Sequence, residues 1–422
     1  MARPVGEASQ GGRWRALVAL AVAFISDSAE GGLVNVLFPV IRQSLQLGVD
    51  ALGLLSSISR VARMVFGPLW SVAADRYGRT RVLVLVTGVW GIWTAAAGLA
   101  QDFTQLLILY SIGVIGTVAS EPIANALLTD LFAEHERGRA YGAIRSVGTG
   151  GGLVLVPLIG QLASIPDGWR LGMLLMGLLS MLSGLLIALF VREPPRRQAA
   201  NEFAGVRMAD VIGLFRIPSF ALLAAMLPMV TSLLVFPFFV TFFVDARGWP
   251  TGDATLLFGV FMAGFALSSI IGGVLGDQFE RRRGPNGRIM LMQLYLLGFA
   301  AVSYLALQRD WGRGAAVYGV QLLFGLVASI GFSGVVLPMV SAIVPTRLAA
   351  TAFAVLFSLI QGLAAAVLTL ALGALAQWYG FANAMLWLVT LPYLANALCW
   401  FAFYRVYPHD VAAQRAAHEV AG

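Results

Sequence analysis

Long apolar runs alternate with short polar segments along the whole chain. Twelve of these runs are long enough to cross a bilayer core as helices, which takes roughly 20 residues each. We number them span 1 to span 12, and they occupy residues 16–41, 52–73, 81–100, 104–130, 138–162, 170–191, 218–244, 252–276, 288–307, 315–343, 349–377 and 383–405. The pattern predicts an N-terminal six-helix bundle (1–191), a cytoplasmic linker (192–217) and a C-terminal six-helix bundle (218–422).

Composition places the chain in a membrane and removes several classes of function. Of its 422 residues, 59% are hydrophobic and only 12% are charged, whereas about 25% are charged in a soluble domain. The basic residues are 28 arginines and no lysine, which excludes the lysine-dependent phosphate loop of an ATP-driven pump. Twenty arginines fall in tails and loops on one side of the spans, and five fall on the other. Because cytoplasmic loops are enriched in arginine, we expect both termini in the cytoplasm.

The loops after span 2 and span 8 carry a repeated polar pattern. A small residue is followed four positions later by an aspartate, and then by arginines after four and six further positions. The second copy is offset from the first by 202 positions. The first copy contains Ser71, Asp75, Arg76, Gly78, Arg79 and Arg81, and the second contains Gly273, Asp277, Arg281 and Arg283. A repeat at the same place in both halves indicates a transporter built from two related bundles.

This pattern resembles the loop signature G-x-x-x-D-R-x-G-R-R/K of the major facilitator superfamily, with Ser71 in place of the first glycine. The resemblance implies an all-α integral membrane protein whose two six-helix bundles expose a central site to each side of the membrane in turn. It also implies that the motif lies at the cytoplasmic gate, with Asp75 facing the N-terminal end of span 11. A carboxylate is electrostatically favoured at a helix N-terminus.

Three segments resemble the spinster-like branch of that superfamily, whose members export lysolipids and sphingolipids. They are residues 130–139, residues 345–353 and the phenylalanine-rich end of span 7. That branch usually carries an arginine and then a glutamate in span 4, where this chain has Tyr110 and Thr117. A mechanism that depends on those two charged residues is therefore not carried over.

Six ionisable residues lie in the interiors of the predicted spans, away from their ends. A charge at mid-bilayer costs about 2.5–3.5 kcal/mol on insertion scales, so such residues normally face a cavity or one another. At 1.5 Å of rise per residue, the acids of span 1 lie at the same depth in the membrane as the arginines of span 2. The acid of span 4 and the arginine of span 5 also lie at similar depths. We therefore expect opposite-charge pairs. The residues are Asp27 and Glu30 in span 1, Arg60 and Arg63 in span 2, Glu121 in span 4 and Arg145 in span 5.

Two interpretations of these pairs differ in function. A closed ion pair can simply neutralise buried charge, and for Glu121 with Arg145 this structural interpretation stays open. For spans 1 and 2 we favour a functional site, since two acids beside two arginines exceed what packing requires. The hypothesis is that Asp27 or Glu30 binds a proton when substrate or a conformational change draws its arginine away.

Spans 7 to 12 have no ionisable residue in their interiors and are instead rich in phenylalanine. A charged wall opposite an apolar wall suits an amphipathic or anionic small molecule, such as the lysolipids that the resemblance implies. The expected apolar wall consists of Phe236, Phe238, Phe239, Phe242 and Phe243 in span 7 and Phe324 and Phe332 in span 10.

We therefore predict a proton-coupled exporter that crosses the plasma (inner) membrane many times. Two alternatives stay open: a proton-linked drug or organic-anion transporter of another branch, and a transport-inactive sensor. An enzyme is not expected, because the chain has no H-E-x-x-H or G-x-S-x-G motif and no histidine within a span. We expect no cofactor or metal beyond a proton or sodium gradient. The expected partners are the lipid bilayer and a small-molecule substrate, with no nucleic acid, and the protein is expected to be a monomer.

Overall fold

The computed structural model describes residues 10–131, 134–192, 208–345 and 348–421, and every regular element within these ranges is a helix. Eleven helices are long and apolar enough to cross a membrane. They run over Arg15–Leu45, Arg79–Ala97, Phe103–Leu128, Ser146–Ser164, Gly168–Phe190, Pro218–Arg247, Thr251–Arg283, Pro285–Leu307, Ala315–Ile343, Thr351–Tyr379 and Phe381–Gln414. They correspond to span 1 and to spans 3 to 12, and a short helix, Met208–Leu214, precedes span 7.

Span 2 is the helix Asp50–Tyr77, whose 28 residues are enough to cross a bilayer core. Its apolar content is lowered by charged residues, among them Arg60 and Arg63 at its centre. With span 2 included, the predicted all-α fold of twelve long helices is confirmed. The side of the membrane on which the termini lie stays a prediction.

The helices group into two compact units. Unit 1 comprises Met1–Gly48 and Ile58–Ala200, and unit 2 comprises Val49–Ser57 and Asn201–Gly422. The first residues of span 2 thus belong to unit 2, whereas the predicted division placed all of span 2 in the N-terminal bundle. Within unit 2, the backbone N–H of Val49 donates a hydrogen bond to Oε1 of Gln377 at 3.0 Å.

In unit 1, span 1 packs against spans 5 and 6, and span 3 packs against spans 4 and 6. Spans 3 and 6 approach most closely at Gly88 and Gly184, where a Cβ added to Gly88 would lie 2.8 Å from the Cα of Gly184. Only glycine permits this backbone contact, which is how transmembrane helices gain dispersion energy without a hydrophobic driving force. The tight contact holds span 3 against span 6, on which span 1 also packs.

In unit 2, span 8 packs against spans 9 and 10, and span 9 packs against span 12. Aromatic rings fill the interior, and the Phe299 ring stacks on Tyr393 with centroids 3.9 Å apart. The expected apolar wall is largely absorbed into this core. Phe238, Phe239, Phe242, Phe243 and Phe324 are each at most 2% exposed, and their place in the wall of a substrate cavity stays a prediction. Their burial results from contacts between rings, with Phe242 edge-to-face on Phe243 and Phe324 tilted against Phe261, whereas Phe236 and Phe332 are half-buried.

Span 4 is interrupted in its middle. A helix over Phe103–Thr117 ends at a turn, and a second helix starts at Ser120. At the turn, the N–H of Ala119 donates to the oxygen of Gly116 instead of Ile115. The indole N–H of Trp70 in span 2 donates to the released Ile115 oxygen at 2.7 Å. An unpaired carbonyl in a membrane costs several kcal/mol, so this side chain makes the break tolerable.

Span 10 is interrupted at the corresponding place in unit 2. Its first helix, Ala315–Val327, ends at a turn formed by Ala328 and Ser329. The N–H of Ser329 donates to Oγ of Ser268 in span 8 at 2.8 Å, and the hydroxyl of Tyr295 in span 9 donates to the Ala328 oxygen at 3.2 Å. Span 4 of unit 1 and span 10 of unit 2 are therefore both broken, and side chains of neighbouring spans complete their backbones, from one span for span 4 and from two for span 10.

Candidate functional site

Unit 1 encloses a cavity of about 340 Å³ between spans 1, 2 and 4. Four of the six predicted site residues line it: Asp27, Glu30, Arg63 and Glu121. Arg60 is half-buried in span 2 and is not part of the lining. The Arg145 side chain lies outside the described residues, so its expected pair with Glu121 stays a prediction. The rest of the lining combines hydroxyl groups with apolar side chains, namely Phe24, Ser28, Leu33, Val34, Ser59, Thr94, Leu109, Tyr110, Val114, Thr117, Val118 and Met173.

Glu30 is half-buried and is held by two hydroxyl groups. Thr94 of span 3 donates to Oε1, and Ser180 of span 6 lies 3.2 Å from Oε2. Within the part of the chain that the structure describes, neither Glu30 nor Asp27 forms an ion pair with Arg60 or Arg63. The expected ion pairs between spans 1 and 2 are thus wrong in this conformation, because span 1 packs on span 6 and turns Glu30 toward spans 3 and 6.

Asp27 lies one turn before Glu30 and differs from it in its bonding. Its Oδ1 is buried and has no hydrogen-bond partner among the described residues. Ser120, the first residue after the break in span 4, lies beside the carboxyl group, and Arg63 and Glu121 lie close enough to act on it electrostatically. Buried oxygens are usually paired, so this one is open to a ligand group, a water or a proton.

Arg63 presents its side chain to the open part of the cavity, since it counts among the exposed residues while lining the pocket. A small apolar cluster of spans 2 and 4 supports this face of span 2; it contains Ala62, Val114 and Val118 with Phe66, Tyr110 and Ile115 around them. An arginine in this position offers several fixed N–H donors to an anionic group. The cavity therefore combines one accessible cation with half-buried acids.

The first copy of the loop motif forms a clamp inside unit 1. The Arg79 Nη2 atom lies 2.9 Å from Oδ1 of Asp75, and its Nη1 donates to the backbone oxygen of Ala126 in span 4 at 3.2 Å. Gly78 has φ +109°, a conformation that favours glycine, and this turn places Arg79 at the start of span 3. Ser71 donates to the Gly67 oxygen of its own helix, the Arg76 guanidinium lies over the Tyr77 ring, and Arg81 is exposed.

The second copy forms the same clamp with an arginine that the sequence pattern missed. Arg288 of span 9 lies 3.3 Å from Oδ1 of Asp277 and 2.5 Å from Oε2 of Glu280, and its Nη1 donates to the Gly334 oxygen in span 10. Of the predicted arginines, Arg281 donates to the Asp277 backbone oxygen and Arg283 contacts the Met290 sulfur. Gly273 lies in open space, since no atom lies within 4 Å of a Cβ built on it. Gly284, with φ +60°, ends span 8, but Arg288 follows it only after four positions, whereas Arg79 follows Gly78 directly, so the repeat at an offset of 202 did not reveal Arg288.

Comparisons with known proteins agree with this architecture. The family model of the Major Facilitator Superfamily matches residues 17–369. The hexuronate transporter of Bacillus subtilis (strain 168) is 23% identical over 289 residues, which is 66% of this chain and 68% of that protein. Protein spinster homolog 1 of Mus musculus is 26% identical over 352 residues, 76% of this chain and 65% of that protein.

A solved structure shows the same fold. The crystal structure of a bacterial homolog to the human lysosomal transporter Spinster, in an inward-facing and occupied conformation, superposes with a TM-score of 0.80. The two chains are 21% identical, and the match covers 95% of this chain and 99% of the other. With the family model, the twelve helices and the paired loop clamps in agreement, the chain belongs to the Major Facilitator Superfamily and is a multi-pass membrane transporter.

Proposed function

We propose that the protein is a proton-coupled secondary transporter that exports an amphipathic or anionic small molecule by alternating access. The observation that carries this proposal is the cavity of unit 1, in which the accessible Arg63 faces the half-buried Asp27 and Glu30. We place it in the plasma (inner) membrane as a monomer, with both termini in the cytoplasm. It needs no cofactor or metal and performs no covalent chemistry on its substrate.

The cavity suits a molecule with an anionic group and an apolar portion. Arg63 supplies the donors for the anion, and one wall is apolar, with Phe24, Leu109 and Met173 among its side chains. A volume of about 340 Å³ is at the lower end for a ligand pocket, so it accommodates a head group or a small acid. The hexuronate transporter supports the small-acid type by its name, and the similarity to spinster homolog 1 supports the resemblance that implies the lysolipid type.

The bonding of the two acids supports proton coupling. An ionised carboxylate next to an arginine is stabilised in its charged form, and one without such a partner is more readily neutralised. Asp27 and Glu30 lie in this cavity without an arginine ion pair among the described residues. A proton from cavity water can therefore neutralise one of them, and its release on the other side of the membrane couples the two fluxes.

Transport by the purified protein in proteoliposomes tests this function. The probes are a fluorescent lysophosphatidylglycerol and glucuronate, each with an imposed pH gradient and, separately, with a sodium gradient. We expect movement of at least one probe to follow the pH gradient and to be reduced about tenfold or more in Glu30→Gln or Asp27→Asn. Asp253→Asn is the matched control, because Asp253 is exposed in the first turn of span 8, outside the cavity.

The same experiment separates the alternatives. Movement of glucuronate alone identifies an organic-anion transporter, the type to which the hexuronate transporter belongs by name. Coupling to sodium in place of protons would contradict proton coupling. Binding of a probe without movement under any gradient would indicate a sensor and would contradict the proposed function.

A further inference from the structure

Ser180 has one hydroxyl proton and two acceptors within reach. Its Oγ lies 3.2 Å from Oε2 of Glu30 and 2.9 Å from the backbone oxygen of Thr87. Ser180 is 0% exposed, so no bulk water completes its bonding. A serine hydroxyl donates one hydrogen bond and accepts others, so it donates to only one of these oxygens at a time.

The protonation state of Glu30 decides which bond the hydroxyl makes. When Glu30 is ionised, both of its oxygens are acceptors, and Thr94 and Ser180 each donate to it. When Oε2 carries a proton, that O–H donates to Ser180 Oγ, and the Ser180 hydroxyl turns to the Thr87 oxygen. Both oxygens of Glu30 are hydrogen-bonded in either state, and the difference falls on the Thr87 oxygen, which gains the Ser180 hydroxyl when Glu30 is protonated.

We propose that Glu30 is the group that carries the transported proton and that Ser180 responds by turning its hydroxyl from Glu30 to the Thr87 backbone. This assignment rests on the proposed function and goes further by distinguishing the two acids. Asp27 has an open oxygen, which suits contact with the substrate, whereas Glu30 has partners prepared for both of its states. The only covalent change is that a proton from cavity water binds Oε2 and later leaves it.

The change in the hydrogen bond of Ser180 can reach the broken helix of unit 1 through Thr87. Thr87 lies in a π-helical segment, Val84–Val89, a rare geometry that is frequent at functional sites. Its hydroxyl lies 2.9 Å from Oγ of Ser120, where span 4 resumes after the break. Protonation of Glu30 thus changes the bonding of the residue that contacts the start of the second half of span 4.

Other groups also bear on the pH dependence of Glu30. Span 1 contributes Asp27, span 2 contributes Arg63, and span 4 contributes Tyr110 and Glu121, all of which line the same cavity. Spans 3 and 6 present hydroxyl groups to Glu30 rather than titratable ones. On span 5, which packs against span 1, the Arg145 side chain lies outside the described residues.

The pH profile of transport by the Ser180→Ala variant tests the proposal, and Ser183→Ala is the control. Ser183 lies one turn later in span 6, is equally buried, and donates only to a backbone oxygen, that of Ser180, at 2.8 Å. We expect Ser180→Ala to move the midpoint of pH-driven transport of the probe in use by about one pH unit to higher pH, because the ionised Glu30 loses a donor. Ser183→Ala should keep the wild-type profile. Glu30→Gln should abolish pH-driven transport while keeping counterflow, which needs no net proton movement.

Infrared difference spectroscopy tests the same proposal without transport. A pH step on purified wild-type protein should produce the carbonyl band of a neutral carboxyl group, and this band should be absent in Glu30→Gln and shifted in Ser180→Ala. A band that persists in Glu30→Gln and disappears in Asp27→Asn would overturn the assignment. A wild-type pH profile in Ser180→Ala would overturn the role of Ser180. A protein that shows the Glu30 band but no pH-driven transport would instead contradict the proposed function.

Discussion

The two units use the same backbone devices and fill their interiors in opposite ways. Each has an arginine clamp, built on Arg79 in unit 1 and on Arg288 in unit 2, and each has a broken helix completed by side chains of its neighbours. Unit 1 leaves space around its acids and Arg63, whereas unit 2 packs aromatic rings until Phe299 and Tyr393 lie face to face. In this structure, the ionisable chemistry is in unit 1 and the dense packing is in unit 2.

This difference indicates that the two units have different roles. Ionisable groups in a membrane are costly unless they contact water, a partner or a ligand, so a unit that keeps them needs a function for them. Close-packed rings resist deformation and provide a rigid support. Substitutions in unit 2 should therefore mainly affect stability, and substitutions at the unit 1 cavity should mainly affect transport.

The two clamps should show the largest difference. The Arg288 side chain is 7% exposed, so Arg288→Ala removes a buried guanidinium together with its charge-assisted hydrogen bonds to Glu280 and to the Gly334 oxygen, and should destabilise the protein by about 3–4 kcal/mol. Arg79 and Asp75 are 25% and 47% exposed, and Arg79→Ala should cost only about 0–1 kcal/mol. Thermal unfolding in detergent measures both. Equal losses in the free energy of unfolding for the two variants would show that the burial of Arg288 does not make its clamp more stabilising than that of Arg79.

The aromatic core should show the next largest effect. Phe299→Ala removes a buried ring that stacks on Tyr393 and should cost about 3 kcal/mol. Phe24→Ala in unit 1 should cost less, because that ring already borders the cavity. The same unfolding assay compares the two variants, and a larger loss for Phe24 would contradict the view that unit 2 is the rigid support.

The breaks in spans 4 and 10 should respond to the loss of single hydrogen-bond donors. Trp70→Phe keeps an aromatic ring but leaves the Ile115 oxygen unpaired, and should cost about 1–3 kcal/mol. Tyr295→Phe removes one donor from the Ala328 oxygen and should cost about 1 kcal/mol. Hydrogen exchange of the amides at each break measures the loosening. Trp311→Phe is the control, because its indole donates to the Leu305 oxygen at an exposed site.

Arg63 should have the smallest effect on stability. Its side chain is exposed to the cavity, so Arg63→Gln should change the free energy of unfolding by no more than about 0.5 kcal/mol. The KM for an anionic probe should nevertheless rise about tenfold, since a charge-assisted contact is lost. Transport kinetics with glucuronate provide the measurement. An unchanged KM would remove Arg63 from the substrate site.

The fold was predictable from the sequence because apolar run length and arginine placement are both set directly by the bilayer. The cavity residues were also found, since an ionisable group within an apolar run is conspicuous. Their partners were not, because Thr94 and Ser180 are small hydroxyl residues on supporting helices and carry no pattern. The sequence gives the depth of Glu30 in the membrane, and depth alone suggested arginines as its partners. The rotation of span 1 about its axis depends on packing between spans, and it directs Glu30 toward the hydroxyl groups of Thr94 and Ser180. The ring contacts that bury the span 7 phenylalanines were likewise not predictable, because they also depend on packing between spans.

The central claim is that the acids of the unit 1 cavity couple transport to proton movement. The most direct measurement is the internal pH of proteoliposomes, followed with an enclosed dye while a probe moves down its own gradient with no imposed pH difference. We predict that protons move opposite to the probe in the wild type, and that Glu30→Gln moves the probe without them. Probe movement by the wild type with no change in internal pH would contradict the account.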